Sequence, residues 1–399
     1  MKRLHSFRRR CRHWAAALGI CCAAGLGGCL SSEPQDEQTD VYKIGVLLPL
    51  SGENAAYGQR ILQGIELAKD QLNGQEPFLA KPIRLFVEDD GSRSVQAISG
   101  MQALDREGVL LVIGGYTTDT ALSMRSQANA LKLPVVTPSA SGEDLTERSR
   151  YMMRSCFSDR DQAEALADYT LHKRNIRTVA VLLDLDDDGT YSRMLARLFS
   201  RFFTLKGGTV VKTVGFRDGE GYSNVMREAI AAKPEAIFAP VYPEDAAQIV
   251  NQAREQGFTG TIFGADGWDE PEFLNNLTHA ADGPLYHAAM FSSQLKFSPQ
   301  LNFFNAAMFD RTGRVPSNCE ALGFDVMSLV GSVLDGKADR ESLLEAFLGI
   351  RNFDALTGRI SMLPDGNAAA GVIIKKIVDA DGKPEAVLDE LVTVPHLNE

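Results

Sequence analysis

Six cysteines serve the whole chain, and four of them (Cys11, Cys21, Cys22 and Cys29) fall within the first 29 residues. That leaves Cys156 and Cys319, too few and too far apart for a disulfide framework or a metal site, and both read as small buried hydrophobic residues. Histidine is as sparse, with His172, His279, His287 and His396 isolated from one another. No nucleophile elbow, HExxH helix, phosphate loop or dinucleotide fingerprint is present, and the carboxylates fall in no recognisable catalytic pair. Catalysis, a cofactor and a resident metal are therefore not expected. One partial calcium loop, Asp184-Leu185-Asp186-Asp187-Asp188-Gly189, has Leu195 where the closing glutamate belongs and reads as an acidic turn. Positive charge is also scarce. Six of the 41 basic residues and none of the 52 acidic ones lie in the first 28 positions, so the remainder carries a formal charge of −17. Charge of that sign argues against nucleic acid or an anionic membrane surface as partner.

No long hydrophobic run is present either. The apolar stretch Trp14 to Leu26 is too short to span a bilayer comfortably, and it follows a basic segment, Lys2 to Arg12, free of acids. Together they read as a targeting segment over residues 1–28 that is removed. Leu26-Gly27-Gly28-Cys29 resembles the bacterial lipobox, which implies that Cys29 is acylated and becomes the new N-terminus. Residues 29–40, polar and acidic, read as a flexible tether.

What the chain does have is alternation. Strand-like runs at Tyr42–Leu48, Ile83–Val87, Val109–Ile113 and Pro134–Val136 alternate with helical spacings at Ala56–Leu72, Val95–Leu104 and from Thr120. The pattern restarts with helices at Ala163–His172, Ser192–Leu205, Val225–Ala231 and Asp245–Gln256, and strands at Thr178–Leu183, Thr209–Val214, Ala236–Val241 and Thr261–Phe263. Such alternation predicts an α/β protein of two Rossmann-like lobes, each with its own parallel sheet. A strand-like run at Leu285–Phe291 precedes three helices, Leu301–Phe309, Glu320–Leu334 and Arg340–Leu348, which are expected to return and cover the first sheet.

Two successive strands in the first half end in small hydroxylated loops. Val109–Ile113 leads into Gly-Gly-Tyr-Thr-Thr, and Pro134–Val136 into Thr137-Pro138-Ser139-Ala140-Ser141. One such loop is ordinary helix capping. Two side by side at the carboxyl ends of parallel strands are half of a small-molecule site, where unpaired N–H groups can hold a carboxylate or phosphate.

The runs YKIGVLLPLSGENAAYG (from Tyr42), VEDDGS (from Val87), LVIGGYTTDTA (from Leu111), VVTPSAS (from Val135), RSCFSDRDQA (from Arg154), GYSNVMREAI (from Gly221) and FGADGWD (from Phe263) come in the order and at the spacing of one family. They resemble the type I periplasmic binding proteins of branched-chain amino acid ABC transporters over essentially all of residues 41 to 380. The resemblance implies a lobe of residues 41–157 plus 289–371, a second of 158–288 plus 372–399, and three hinge crossings near Phe157, Ala288 and Gly371. It also implies a ligand shell. Thr118 and the loop Ser139, Ala140 and Ser141 would hold the α-carboxylate of an amino acid and help with its ammonium. Tyr57 would line the side-chain pocket, Tyr191 would close over the ligand from the opposite lobe, and Asp266 would pair with the ammonium. Where the family has a second aromatic after Ala236–Val241, this chain reads Pro240-Val241-Tyr242-Pro243, so the ring is displaced by one residue.

The implied activity is capture of an amino acid, branched-chain or otherwise aliphatic, for delivery to ABC transporter permease subunits. The protein would be a monomer, lipid-anchored through Cys29 at the periplasmic face of a bacterial membrane. Two other readings of the same fold are a lipoprotein that activates peptidoglycan synthases and a sensor of amides or aromatic acids.

Overall fold

The computed structural model describes residues 40–74, 79–186, 191–217, 221–279, 282–295 and 298–393. The targeting segment, the lipobox Cys29, most of the tether, His396 and the second half of the acidic loop Asp184 to Gly189 lie outside the described residues.

The first sheet is built from β1 (Tyr42–Leu48), β2 (Ile83–Asp89), β3 (Leu111–Gly114), β4 (Val135–Thr137) and β5 (Met152–Arg154), joined through α1 (Ala55–Gly74), α2 (Ser94–Glu107) and α3 (Thr118–Leu131). Its order is β2-β1-β3-β4-β5 and every pairing is parallel. β1 is an almost unbroken apolar run, YKIGVLL, because helices cover both its faces. Ile44, Val46 and Leu48 point to one core and Leu47, with Val112 and Val135, to the other under α2 and α3.

The second sheet comprises β6 (Thr178–Asp184), β7 (Thr209–Phe216), β8 (Ala236–Ala239), β9 (Thr261–Gly264) and β10 (Leu285–Ala289), with α4 (Asp159–Asp168), α5 (Ser192–Leu205), α6 (Tyr222–Ala231), α7 (Pro243–Glu255) and the short α8 (Pro271–Asn275). α5 shows why these helices dock. Leu195, Leu198, Phe199, Phe202 and Phe203 are buried while Arg193, Arg197 and Arg201 are exposed four residues apart. The parallel part, β7-β6-β8-β9-β10, repeats the order of the first sheet.

Beyond β10 come α9 (Leu301–Thr312), α10 (Asn318–Leu334) and α11 (Arg340–Leu348), whose Phe304, Phe324, Val330 and Leu343 pack into the same core as Ile44 and Val46 of the first sheet. α10 lies directly on α1. A Cβ on Gly64 would stand 2.0 Å from the Glu320 carbonyl oxygen, and one on Gly323 would stand 2.0 Å from that of Ile61. The two helices run in the same direction, Ile61 against Gly323 and Leu72 against Gly331, so their N-terminal turns lie together.

Past α11 the chain forms five strands that the sequence pattern does not announce. A small sheet is made of β11 (Phe353–Ala355), β12 (Gly358–Met362) and β13 (Ala368–Ala369), and a hairpin, β14 (Val372–Ala380) and β15 (Lys383–Val392), adds to the second sheet antiparallel beyond β10. The second sheet is thus mixed rather than wholly parallel. The hairpin turns on Asp381-Gly382, both with positive φ (53° and 82°), the conformation that Asp-Gly favours in two-residue loops. The chain passes between the sheets after β5, after β10 and between β13 and β14; Ala288 itself lies within β10, so that passage begins at Met290.

Candidate functional site

In each sheet the strand order reverses beside its first strand, at β1/β3 and at β6/β8, and loops at the carboxyl ends of such strands form a crevice. The described residues that meet there line a cleft with about 510 Å³ of space between atoms, open solvent at its mouth included. Tyr116, Thr117, Thr118, Ser139, Ala140 and Ser141 line it from the first sheet's loops, and Tyr191, Tyr242, Asp266, Gly267 and Glu270 from the second's. Asn318 and Cys319, the first turn of α10, complete it.

The first-sheet loops are laced to one another. Thr137 Oγ1 donates to the Gly115 carbonyl (2.6 Å) and accepts from Ala140 N–H (3.0 Å). Ser139 Oγ donates to the Tyr116 carbonyl (2.8 Å). Thr117 caps α3 by accepting from Thr120 N–H (3.3 Å). Thr118 Oγ1 accepts from Gly142 N–H (3.0 Å), which leaves its own hydroxyl proton to donate. Beneath them the fully buried Arg154 donates to the carbonyls of Ser141 and Gly142 (2.5 and 2.6 Å) and fixes the loop from behind.

The opposing face is acidic. Asp266 Oδ1 accepts from Gln162 Nε2 and from the Tyr191 hydroxyl, each at 2.9 Å, while Tyr191 accepts from Gly267 N–H (2.8 Å). The same Gln162 amide donates to Asp159 Oδ1 (2.9 Å), so one side chain links two carboxyl groups. Burial pushes Asp266 above the usual carboxylate range against those hydrogen bonds. Burial, then the Asp266 charge, pushes Asp159 up to about 7. Asp159 Oδ2 is buried with no partner. Two carboxyl groups this close hold a proton more readily than isolated ones, and a cation placed beside them would let both ionise.

Each face also carries a pair of stacked tyrosines. Tyr191 stacks on Tyr242 with centroids 4.8 Å apart, and Tyr116 on Tyr57 at 5.3 Å. Five of the residues named from sequence (Thr118, Ser139, Ser141, Tyr191 and Asp266) therefore meet around one cavity, with the Ala140 backbone among them. Tyr57 does not line it; its ring lies against Tyr116 and its hydroxyl is 3.4 Å from Glu244 Oε1. The displaced aromatic, Tyr242, reaches the cavity from its shifted position.

Other contributors have no signal in the local sequence. Glu270 is only 7% exposed; it accepts from Arg60 Nη1 (3.0 Å) and from the Cys319 thiol (3.0 Å). Arg60 also donates to Glu272 (2.8 Å), tying α1 to the turn after β9. Burial pushes Glu270 up to about 8 even with Arg60 beside it. Gln162, in the run RSCFSDRDQA, and Asn318, two residues after Pro316, carry no pattern of their own. Cys156 and Cys319 are free and buried. Asp186 of the acidic loop pairs with Arg217 (2.7 Å), and no cluster of three or more metal-ligating side chains occurs among the described residues. No helix of the described residues is long and apolar enough to cross a membrane.

Two doubly wound sheets of the same order, with a polar cavity at their facing strand ends, define a type I periplasmic binding protein fold. The chain belongs to the periplasmic binding protein family, whose sequence profile matches residues 41–383. The Leu/Ile/Val-binding protein BraC3 of Rhizobium johnstonii is 28% identical over 245 residues, 61% of this chain and 66% of that protein. The chain thus spans just under two thirds of the length of that relative. Among solved structures, the leucine binding protein LivK of Thermotoga maritima aligns with TM-score 0.79 and 28% identity over 89% of this chain and 99% of its own. LivJ of Streptococcus pneumoniae, a branched-chain amino acid transporter substrate binding protein in complex with isoleucine, aligns with TM-score 0.76 and 26% identity over 88% and 100%.

Proposed function

We propose that this chain captures an α-amino acid between its two sheets and delivers it to the permease subunits of an ABC transporter, acting by binding and not by catalysis. The observation that carries this reading is the pairing of opposite chemistries across one cavity. Thr118, Ser139 and Ser141 offer uncharged hydroxyl and backbone groups on one side, and Asp266 offers a carboxylate on the other. A zwitterion leaving water needs both charges met, and each of its charges has a matching face here. The isoleucine held by LivJ and the leucine for which LivK is named make branched-chain amino acids the first to test.

In this reading the lobes are residues 41–157 plus 289–371 and 158–288 plus 372–399, and the three passages between sheets act as hinges, a mode of closure known for periplasmic binding proteins. Ligand bridges the faces and shifts the population toward the closed form. Acylation of Cys29 would hold the protein at the periplasmic face of a membrane. Calorimetric titration of the chain, unfolded and refolded to strip bound ligand, tests the proposal against all proteinogenic amino acids. Micromolar or tighter binding of one of them is expected; silence across the whole panel would refute it.

A further inference from the structure

The cavity has two acidic centres, not one. Asp266 and Asp159 lie close to Tyr191, whereas Glu270, with the Cys319 thiol that donates to it, lies close to Tyr116, and Tyr242 is close to both tyrosines. The first centre suits the α-ammonium. The second is left over.

Its chemistry is unusual for a pocket meant to hold an aliphatic side chain. None of the thirteen lining residues is Leu, Ile, Val, Met or Phe. The second centre offers acceptors instead: the Glu270 carboxylate, to which the Cys319 thiol donates, and Asn318 Oδ1, which is buried with no hydrogen-bond partner. The nearby cation, Arg60, is shared between Glu270 and Glu272, and Glu244 stands a further carboxylate away on Tyr57. There are thus three carboxyl groups to one guanidinium at this end, and Asn318 Oδ1 has no donor. A branched side chain placed here would leave Asn318 Oδ1 without a donor and would add nothing to offset the surplus of carboxyl groups, whereas an N–H end would supply the donor and, if cationic, the offset.

We propose that Glu270 and Asn318 form a specificity subsite selecting an amino acid whose side chain ends in N–H donors (ammonium, guanidinium or amide) over a branched-chain one. This rests on the amino-acid reading above and sharpens it. The surplus of carboxylate favours a cationic end within that class, and the burial-raised proton affinity of Glu270 is relieved when such a cation arrives. Sites built to hydrogen-bond an N–H reject analogues lacking it far more strongly than hydrophobic pockets reject a missing methylene.

The test is a competition series by calorimetry on the ligand-stripped chain, using leucine, isoleucine, valine, glutamine, citrulline, ornithine, lysine and arginine. At least one of the last five should bind tenfold or more tighter than leucine. Glu270→Leu should lower that ratio at least tenfold, and Asn318→Leu, which leaves the Glu270–Arg60 pair in place and so guards against a folding defect, should lower it severalfold. Leucine as the tightest ligand, with a ratio unmoved by both variants, overturns the subsite while leaving the amino-acid reading intact. No binding by any of the eight, nor by any other amino acid, overturns both.

Discussion

The two faces of the cavity use the same architecture, loops at the carboxyl ends of parallel strands, and opposite chemistry. The first-sheet loops carry no charge at the cavity wall and satisfy themselves through Thr137, Ser139 and Thr118, with Arg154 sunk behind the carbonyls it holds. The second-sheet face buries Asp159 and Glu270 and half-buries Asp266, all held above the ordinary carboxylate range mainly by desolvation. One face is at rest without a ligand; the other holds acidic groups whose ionisation burial opposes and a ligand cation would favour. In the proposed function that difference sets the direction in which a zwitterion would lie across the cleft.

Removing an acidic group should have the largest effect. Asp266→Ala is expected to lose roughly 2–5 kcal/mol of amino-acid affinity while its circular dichroism stays that of the parent. Unchanged affinity would show that the ammonium is held elsewhere. A smaller loss, roughly 1.5–3 kcal/mol, is expected from Thr118→Val on the uncharged face, because one O–H donor to a carboxylate disappears. If the Thr118 variant lost more than the Asp266 variant, the assignment of charges to faces would be inverted.

The acidic groups should also be visible without ligand. Asp159 and Glu270 sit at about 7 and about 8 in the folded protein against ordinary values of 3.8 and 4.5. Groups raised in this way favour the folded state while protonated, so their contribution is complete below the ordinary values and is lost as pH rises through about 7 and about 8. His287, pushed down to about 3 by burial, opposes this only below its ordinary 6.5. Thermal melts of the stripped protein should therefore fall in midpoint from pH 6.5 to pH 8 and level off above it, and Glu270→Gln should flatten the slope; a midpoint that rises over this window would contradict the buried-charge picture. The smallest effect is expected well outside the cleft, at the exposed Arg150–Glu341 pair. Arg150→Ala should change stability by no more than about 1 kcal/mol in denaturant titration, and its affinity for ligand not at all.

Much of this is legible in the sequence. α5 and α11 run over the residues that their apolar spacing marks, Ser192–Leu205 and Arg340–Leu348, and β1 and β6 begin where their β-rich runs begin. The strands without a clear signal are short or half-exposed. β5 is three residues, and β14 and β15 mix charged with apolar residues in no strict alternation, β15 being the sheet edge where Pro384 is tolerated; the Asp381-Gly382 turn is the one feature that marks the hairpin. The site divides in the same way. Thr118, Ser139, Ser141, Tyr191 and Asp266 sit in the loops that follow strands or at the helix starts these loops lead to, where local sequence carries the geometry. Arg60, Glu270, Asn318 and Cys319 meet only because α1 and α10 pack glycine against backbone, bringing together residues more than two hundred positions apart. No local pattern encodes that contact.

The most direct measurement is a crystal structure of the protein with the tightest amino acid from the titration bound. The α-ammonium should lie within hydrogen-bond distance of Asp266, with the α-carboxylate against Thr118 and the Ser139–Ser141 loop. A ligand lying the other way round, or one making no contact with Asp266, would contradict the opposed-face arrangement on which the proposed function stands.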